Sequence, residues 1–326
     1  MAGVTYNKTL YYSSYNFGGI WKLNIDDGKT EMIAMIPENR KHEFAFRINE
    51  QIWFIPAYQE KNIFDVLDIN TGVVKNIAIR PSGNNKTVER KYSNFIEFDS
   101  EIWVMPSTIE YIVIIEKNSG KLRYVMLSDM KIDATDNNFV SAVNVGKIIY
   151  MYEVARNQLL RLDTETKEIC WFCLKEQECT YRNIVKYGKY LYIIPKNING
   201  NSILKYDSEK DAVVDEKVII NDTNKGELIC TGSALRRNRI FLAPYNFSEV
   251  IIWTIDREIE EININCIQDK TAQQLYYWEA VNTEEGFFFG IEQYGAPLIY
   301  IKDDEKVILI ESKADELKDG LLKVIL

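Results

Sequence analysis

Gln51–Tyr58 reads QIWFIPAY, a short apolar and aromatic stretch that a proline interrupts near its end. The same pattern returns three times along the chain. These copies are Glu101–Ser107 (EIWVMPS), Tyr190–Lys196 (YLYIIPK) and Arg239–Tyr245 (RIFLAPY). Looser copies without the proline are Thr9–Tyr15, Lys147–Glu153 and Gly286–Glu292. Seven copies of one strand-like segment predict a repeat fold.

The third residue of each copy gives the period of the repeat. These anchors are Tyr11, Trp53, Trp103, Ile149, Tyr192, Phe241 and Phe288, and they recur at intervals of 42 to 50 residues. Such a period, with several short strands in each unit, is typical of a β-propeller blade. The second unit shows four expected strands, which are Phe44–Ile48, Ile52–Ile55, Phe64–Leu67 and Val73–Ile79. We therefore predict an all-β, seven-bladed β-propeller of four-stranded antiparallel blades.

A second signal repeats at nearly the same phase, between the third and fourth expected strands. In the second unit it is the turn Asp68–Gly72, DINTG. Its counterparts are Asn24–Gly28, Glu116–Gly120, Asp163–Lys167, Asp207–Asp211, Asp256–Glu258 and Lys302–Lys306. Asp and Asn bond their own backbone in tight turns, and Gly supplies a positive φ. Two signals locked together seven times support the propeller.

The strand–proline element and the hairpin of Leu67–Gly72 give the chain its likeness to known proteins. The pattern resembles the seven-bladed propellers of the Kelch-like and quinoprotein-like type, over nearly the whole chain. The doubled glycine of Kelch repeats occurs only at Gly18-Gly19, and the Trp-Asp dipeptide of WD-type repeats is missing. The resemblance therefore implies an architecture and no specific family.

The chain is expected to be a single propeller domain over residues 1–326. The predicted blades span about 1–37, 42–80, 92–128, 138–175, 181–220, 230–266 and 276–312. In the first blade only a stub, Val4–Tyr6, is left for the innermost strand. The tail 313–326 is expected to close the ring by pairing with blade one or blade seven, because unpaired strand edges favour closure. A short amphipathic helix is the alternative for this tail, since Leu317, Leu321 and Leu322 fit a helical stripe.

Composition restricts the classes of function. The chain has 39 Lys and Arg against 48 Asp and Glu, a formal charge of −9, which argues against a nucleic-acid groove. No run approaches the 18 apolar residues of a membrane span. The N-terminus lacks the pattern of a signal peptide, and the five cysteines form an odd, sparse set. We therefore expect a cytoplasmic protein with reduced thiols.

Candidate chemistry is sparse. Cys170 and Cys173 have a zinc-like spacing, but they lie in an expected strand without a second ligand pair, and we interpret the cysteines as small core hydrophobes. No metal site and no cofactor are predicted, because phosphate-binding, dinucleotide-binding and calcium motifs are absent. The single histidine, His42, precedes the first strand of blade two, at the expected mouth of the central channel. It is either a general base or a solvated loop residue.

The informative residues share one expected face. In a propeller, the loops that enter each first strand and the loops between second and third strands lie on the same side. On this upper face the sequence collects Tyr, Asn and Trp, which suit the recognition of a peptide, a protein or a glycan. The predicted ligand-binding residues are Tyr15, Tyr92, Asn94, Tyr181, Arg182, Tyr245, Tyr277, Trp278 and Glu279.

Three functions remain open at this point. The first is a non-catalytic binding propeller. The second is a lyase or glycan-modifying enzyme that uses His42 with Glu43 or Glu279 as acid and base. The third is a structural component of a multiprotein complex, bound through its blade edges. The shortage of histidine, and of any nucleophile motif, favours the first.

Overall fold

The structure is a computed structural model of the chain. It describes residues 2–13, 19–37, 42–57, 63–80, 91–133, 138–174, 179–222, 226–246, 249–255, 257, 259–263, 277–291, 298–304 and 306–310. Within these residues there are seven four-stranded antiparallel sheets, each built from consecutive strands, and no α-helix. The predicted fold class is confirmed.

The strands are numbered in chain order, four to a blade. Blade one consists of β1 (Ala2–Tyr6), β2 (Thr9–Ser13), β3 (Ile20–Asn24) and β4 (Thr30–Ala34); blade two of β5 (His42–Ile48), β6 (Gln51–Pro56), β7 (Ile63–Asp68) and β8 (Val74–Ala78); blade three of β9 (Tyr92–Glu97), β10 (Glu101–Pro106), β11 (Tyr111–Glu116) and β12 (Leu122–Met126). Blade four consists of β13 (Phe139–Val145), β14 (Ile148–Glu153), β15 (Gln158–Asp163) and β16 (Ile169–Cys173); blade five of β17 (Tyr181–Tyr187), β18 (Tyr190–Pro195), β19 (Ser202–Asp207) and β20 (Ala212–Val218). Blade six consists of β21 (Cys230–Arg236), β22 (Arg239–Pro244), β23 (Glu249–Thr254) and β24 (Ile259–Asn263); blade seven of β25 (Tyr277–Asn282), β26 (Gly286–Ile291), β27 (Leu298–Lys302) and β28 (Val307–Ile310). A short 3-10 helix, Ser128–Met130, follows β12.

The repeated apolar segment is the second strand of each blade, and neighbouring blades cover it on both faces. In β10, Ile102 and Val104 lie in the core shared with blade two. Trp103 and Met105, which alternate with them, lie in the core shared with blade four. Because successive side chains of a strand point to opposite faces, a continuous apolar run is what two cores require. The segment therefore packs blade on blade.

The predicted turns between third and fourth strands are also present in blades one to five, whose turn residues the structure describes throughout. The Oδ1 atom of Asp68 accepts hydrogen bonds from the backbone N–H groups of Asn70 (3.1 Å) and Thr71 (2.9 Å). These bonds, with the Thr71 hydroxyl, lower the pKa of the Asp68 carboxyl. The fifth turn residue adopts the left-handed conformation in five blades. These residues are Gly28, Gly72, Gly120, Lys167 and Asp211.

The ring closes where blade one meets blade seven. The inner strands β1 and β25 lie side by side, and the Thr5 Oγ1 atom donates a hydrogen bond of 2.8 Å to the Asn282 carbonyl oxygen. The predicted stub is a full inner strand, Ala2–Tyr6. Within the described residues, the four strands of each blade are consecutive in the chain. The predicted closing tail, 313–326, lies outside them.

Among the described residues, no helix has the length and apolar character needed to cross a membrane.

Candidate functional site

The inner strand of six blades begins with a β-bulge on the upper face. In blade three, Tyr92 pairs with Pro106 and Asn94 pairs with Met105, so that Ser93 is an extra residue. The bulged positions, which we call the bulge ring, are Glu43, Ser93, Val140, Arg182, Thr231 and the pair Trp278–Glu279. The β1–β2 pairing of blade one has no such shift. A bulge re-aims a side chain, and bulges are common beside active sites.

The proline of the repeated segment explains the position of the bulge. In four of the six bulged blades the residue before the bulge pairs with Pro56, Pro106, Pro195 or Pro244. Proline has no N–H group for the ladder, so regular pairing ends there. The chain bonds instead to the preceding blade. In blade six, where Cys230 is paired with Pro244, the backbone N–H of Cys230 donates to the Lys196 carbonyl oxygen (2.9 Å).

Two of the predicted ligand-binding tyrosines lie in the cores between blades. Tyr92 is fully buried, and its ring packs edge-on against Phe64 with 5.8 Å between centroids. Tyr181 is 3% exposed and packs edge-on against Tyr152 at 5.7 Å. Burial raises the pKa of both tyrosines. Their side chains therefore pack between blades and offer no surface to a ligand. Aromatic residues at the start of a strand suit this position because their large rings bury much apolar area.

The other predicted residues fall into different environments. Asn94 is half-buried, and its Nδ2 atom donates to the Ala142 carbonyl oxygen of blade four at 2.9 Å. Arg182 is half-buried on a bulge, and Tyr245 is half-buried just after β22. Tyr15 lies outside the described residues, as do the side chains of Tyr277, Trp278 and Glu279. The backbone of β25 nevertheless places Trp278 and Glu279 at the bulge of blade seven.

The charged members of the bulge ring with described side chains are Glu43 and Arg182. Both are half-buried, whereas Ser93, Val140 and Thr231 are buried. Glu43 belongs to blade two and Arg182 to blade five, so the two charges stand on different sides of the ring. The bulge ring thus carries one acidic and one basic side chain on different blades.

His42 does not lie in a solvated loop, so that interpretation is wrong. It is the first residue of β5 and is fully buried. Its Nδ1 atom lies 2.8 Å from Ser13 Oγ, and its Nε2 atom lies 3.0 Å from Asp65 Oδ2. The other carboxylate oxygen of Asp65 accepts a hydrogen bond from Asn76 Nδ2. His42 therefore bridges the second strand of blade one and the third strand of blade two.

The order serine–histidine–aspartate is that of a nucleophilic triad, but its burial opposes that chemistry. Ser13, His42 and Asp65 all have no exposed surface, which leaves no room for a substrate at the hydroxyl. The acidic side chain bonded to His42 is Asp65. The arrangement satisfies buried polar groups, as interiors require.

One feature of the sequence could have predicted this network. Asp65 interrupts the apolar strand β7, Ile63–Asp68, at a position whose neighbours Phe64 and Val66 are buried. A buried carboxylate needs partners, so it points to a histidine elsewhere in the chain. Ser13 carries no such signal, because short polar residues are common at strand ends. Asn76 carries none either, because it lies in the mostly exposed outer strand β8, where polar residues are common.

The cysteines divide between surface and core. Cys170 and Cys173 lie in the predicted strand, but that strand, β16, is the outer edge of blade four, and both are exposed free thiols. The core interpretation is wrong for these two residues and is confirmed for Cys230, which is buried. Cys179 is a half-buried free thiol, and Cys266 lies outside the described residues. Within the described residues, no three His, Cys, Asp or Glu side chains cluster as metal ligands would.

Comparison with known proteins shows the fold alone. No protein-family model matches the chain, and no curated protein matches it. Among solved structures, virginiamycin B lyase from Staphylococcus aureus aligns with 18% identity and a TM-score of 0.66, covering 89% of this chain and 91% of the enzyme. BamB from Moraxella catarrhalis aligns with 11% identity and a TM-score of 0.56, covering 89% and 81%. A chain of the mitotic checkpoint complex aligns with 8% identity and a TM-score of 0.62, covering 95% and 86%.

These similarities, with the seven described sheets, define the class as the seven-bladed β-propellers. The similar structures include both a lyase and a member of a protein complex, so the class alone does not give the activity. The likeness to Kelch-like and quinoprotein-like proteins stays a resemblance of architecture.

Proposed function

We propose that this propeller is a non-catalytic binding protein that recognises a peptide or protein segment at the bulge ring. The observation that carries the proposal is the opposite charge of Glu43 and Arg182 on bulges of different blades. Bulges re-aim side chains without disturbing the strand below, and a rigid frame that presents polar side chains suits recognition. The chain that aligns from the mitotic checkpoint complex belongs to a protein assembly, which supports a protein ligand.

The burial of His42 supports a non-catalytic role. It is the one histidine of the chain, and its two ring nitrogens are bonded to Ser13 and Asp65. A general base has to reach the proton that it removes, within about 3 Å or through one water. A group without exposed surface cannot do this at a surface site.

A peptide library selection tests the binding. Purified wild-type protein would select from a phage-displayed random peptide library, and the enriched peptides would be measured by calorimetry against the double variant Glu43→Ala/Arg182→Ala. The matched control is Lys121→Ala/Glu168→Ala, which removes one exposed charge of each sign from the opposite face. We expect the ring variant to bind at least about tenfold more weakly, since hydrogen bonds to charged groups contribute about 1.5–3 kcal/mol. Equal affinity for both variants, or no enrichment, would contradict the proposal, and binding on a glycan array alone would point to a glycan.

A lyase remains the second candidate, because virginiamycin B lyase shares the fold and a catalytically inactive histidine-to-alanine variant of that enzyme is known with quinupristin. In this chain the histidine would be His42, with Glu43 or Glu279 as carboxylate. Incubation with virginiamycin B, followed by mass spectrometry, tests it. Turnover that the double substitution His42→Asn/Glu279→Gln abolishes would favour the enzyme, and no turnover would leave the binding proposal standing. The cytoplasmic location stays a prediction.

A further inference from the structure

A second concave site lies on the opposite side of the ring, at the seam that closes it. This seam cleft has a volume of about 330 Å³ and is formed by the turns and strand ends of blades seven, one and two. Its charged and aromatic lining consists of Tyr6, Lys8, Asp26, Arg47, Glu284, Glu285 and Tyr300. A volume of this size matches the lower range of small-molecule sites. None of the residues of the bulge ring belongs to it, so it is independent of the proposed function.

The acidic wall of the seam cleft is a turn that an arginine holds in place. The Arg236 side chain donates to the carbonyl oxygens of Thr283 (3.0 Å) and Glu284 (3.1 Å). It also binds both carboxylate oxygens of Asp303, at 2.9 and 2.7 Å. The backbone that carries Glu284 and Glu285 is thereby fixed before any ligand arrives. Such preorganisation reduces the entropy lost on binding.

The opposite wall carries a cation that lacks a carboxylate partner among the described residues. The Arg47 guanidinium lies over the ring of Tyr6, 4.0 Å from its centroid, and Arg47 is exposed. The Tyr6 hydroxyl donates in turn to Glu50 Oε1 at 3.2 Å, which holds the ring. A guanidinium stacked on an aromatic face keeps its N–H edge open for a carboxylate. Lys8, by contrast, is already paired with Asp26 at 3.2 Å.

We propose that the seam cleft binds a small zwitterion, an amino acid or a short peptide with free ends, whose carboxylate meets Arg47 and whose ammonium meets Glu284. The charges at the two ends of the cleft support this proposal. Arg47 has no ion pair, and Glu284 has no side-chain ion pair, within the part of the chain that the structure describes. An anion alone would meet the repulsion of Glu284 and Glu285, and a cation alone would meet that of Arg47 and Lys8. A ligand that carries both charges satisfies both walls.

The experiment uses the full-length protein and a ladder of alanine peptides from L-alanine to tetraalanine, which varies the distance between the two charges. Binding would be measured by calorimetry and by NMR chemical-shift changes of the peptide. For the best length, the N-acetylated and the C-amidated forms remove one charge each. The variants are Arg47→Ala and Glu284→Gln. Their matched controls are Lys186→Ala, the exposed cation at the same strand position of blade five, and Asp99→Asn, an exposed acid in the equivalent turn of blade three.

We expect one length of the peptide ladder to bind. The N-acetylated and C-amidated forms of that peptide should bind at least about tenfold more weakly, because each loses a charge-assisted contact. Arg47→Ala and Glu284→Gln should weaken binding to a similar degree, and the two controls should leave it unchanged. Far-UV circular dichroism would verify that all four variants are folded. The proposal is overturned if no length binds, if blocking the termini has no effect, or if the controls weaken binding as much as the two cleft variants.

Discussion

The Nδ1 atom of His42, in blade two, lies 2.8 Å from the hydroxyl oxygen of Ser13, in blade one. This contact and the 3.0 Å contact with Asp65 make the chain's single histidine a polar bridge across a seam that is otherwise apolar. His42→Ala would leave a buried carboxylate without its main partner. We expect the free energy of unfolding to fall by about 1–3 kcal/mol, because a buried polar group loses a hydrogen-bond partner. Urea denaturation measures it.

The control for this bridge is Lys186→Ala, which removes an exposed side chain from an inner strand and should change stability by less than about 0.5 kcal/mol. If His42→Ala unfolds at the same urea concentration as the control, the bridge contributes nothing to the seam.

The hydroxyl of Tyr152 links blade four to blade five. It accepts a hydrogen bond from the backbone N–H of Tyr181 (3.2 Å) and donates one to Asn157 Oδ1 (3.0 Å). Tyr152→Phe keeps the ring but leaves a buried N–H group unpaired. We expect a loss of about 1–3 kcal/mol of unfolding free energy, measured by chemical denaturation. Tyr187→Phe, at an exposed tyrosine, should have no measurable effect, and an equal loss in both would refute the link.

A side chain at a turn glycine should lower the stability of the protein. Gly72 has φ +69, and a Cβ atom there would find space, with Ile33 Cγ2 at 3.5 Å. The cost of Gly72→Ala is therefore conformational, about 1 kcal/mol, from the left-handed backbone. Thermal unfolding should show a lower midpoint. Gly226→Ala, at an open position without a positive φ, is the control. A midpoint for Gly72→Ala at or above that of wild type would contradict the turn conformation.

The contribution of Arg236 to stability should depend on pH. The Arg236 hydrogen bond holds the pKa of the Asp303 carboxyl below its ordinary value. A depressed folded-state pKa adds stability above the unfolded value, about 3.9 for aspartate, and this stability is lost as the pH falls through the folded value. Wild type should therefore exceed Arg236→Ala in stability at pH 7, and the difference should shrink below about pH 4.

Paired denaturation curves at several pH values measure this difference, and comparing the two proteins at each pH cancels the titration of the other carboxylates. Arg237→Ala, which removes an exposed cation 4.0 Å from Asp303, serves as control. A wild-type advantage that stays constant from pH 7 to pH 3 would show that the Arg236–Asp303 pair does not titrate as described.

The sequence was sufficient for the fold, because a pattern that serves two cores is visible as a continuous apolar run. Ile102 and Trp103 are adjacent in the chain but lie in the cores on opposite faces of blade three. The same apolar run recurs in the other repeats. The turns could also be predicted, because Asp, Asn and Gly recur at fixed positions between the strands. Lys167 and Asp211 adopt the left-handed conformation at the position that glycine occupies in other blades.

The candidate sites were less accessible to sequence reasoning. His42 contacts Ser13 and Asp65, which lie 29 and 23 residues away along the chain. The sequence does not show how the strands that carry them are aligned. Tyr92 and Tyr181 have the composition of binding residues, yet their position before a bulge turns them into the seam. The seam cleft arises where the first and last blades meet, and no local pattern marks such a junction.

The bulge of the inner strand separates the packing of the blades from the choice of side chain at the upper end of the strand. Below it, alternation must keep apolar side chains in the seams, and a shift by one residue would turn every one of them to the wrong side. The extra residue absorbs that constraint, so the half-buried side chains at Glu43 and Arg182 can be exchanged without repacking a blade. The entrance of the channel is therefore free to acquire a new specificity while the ring beneath it stays as it is.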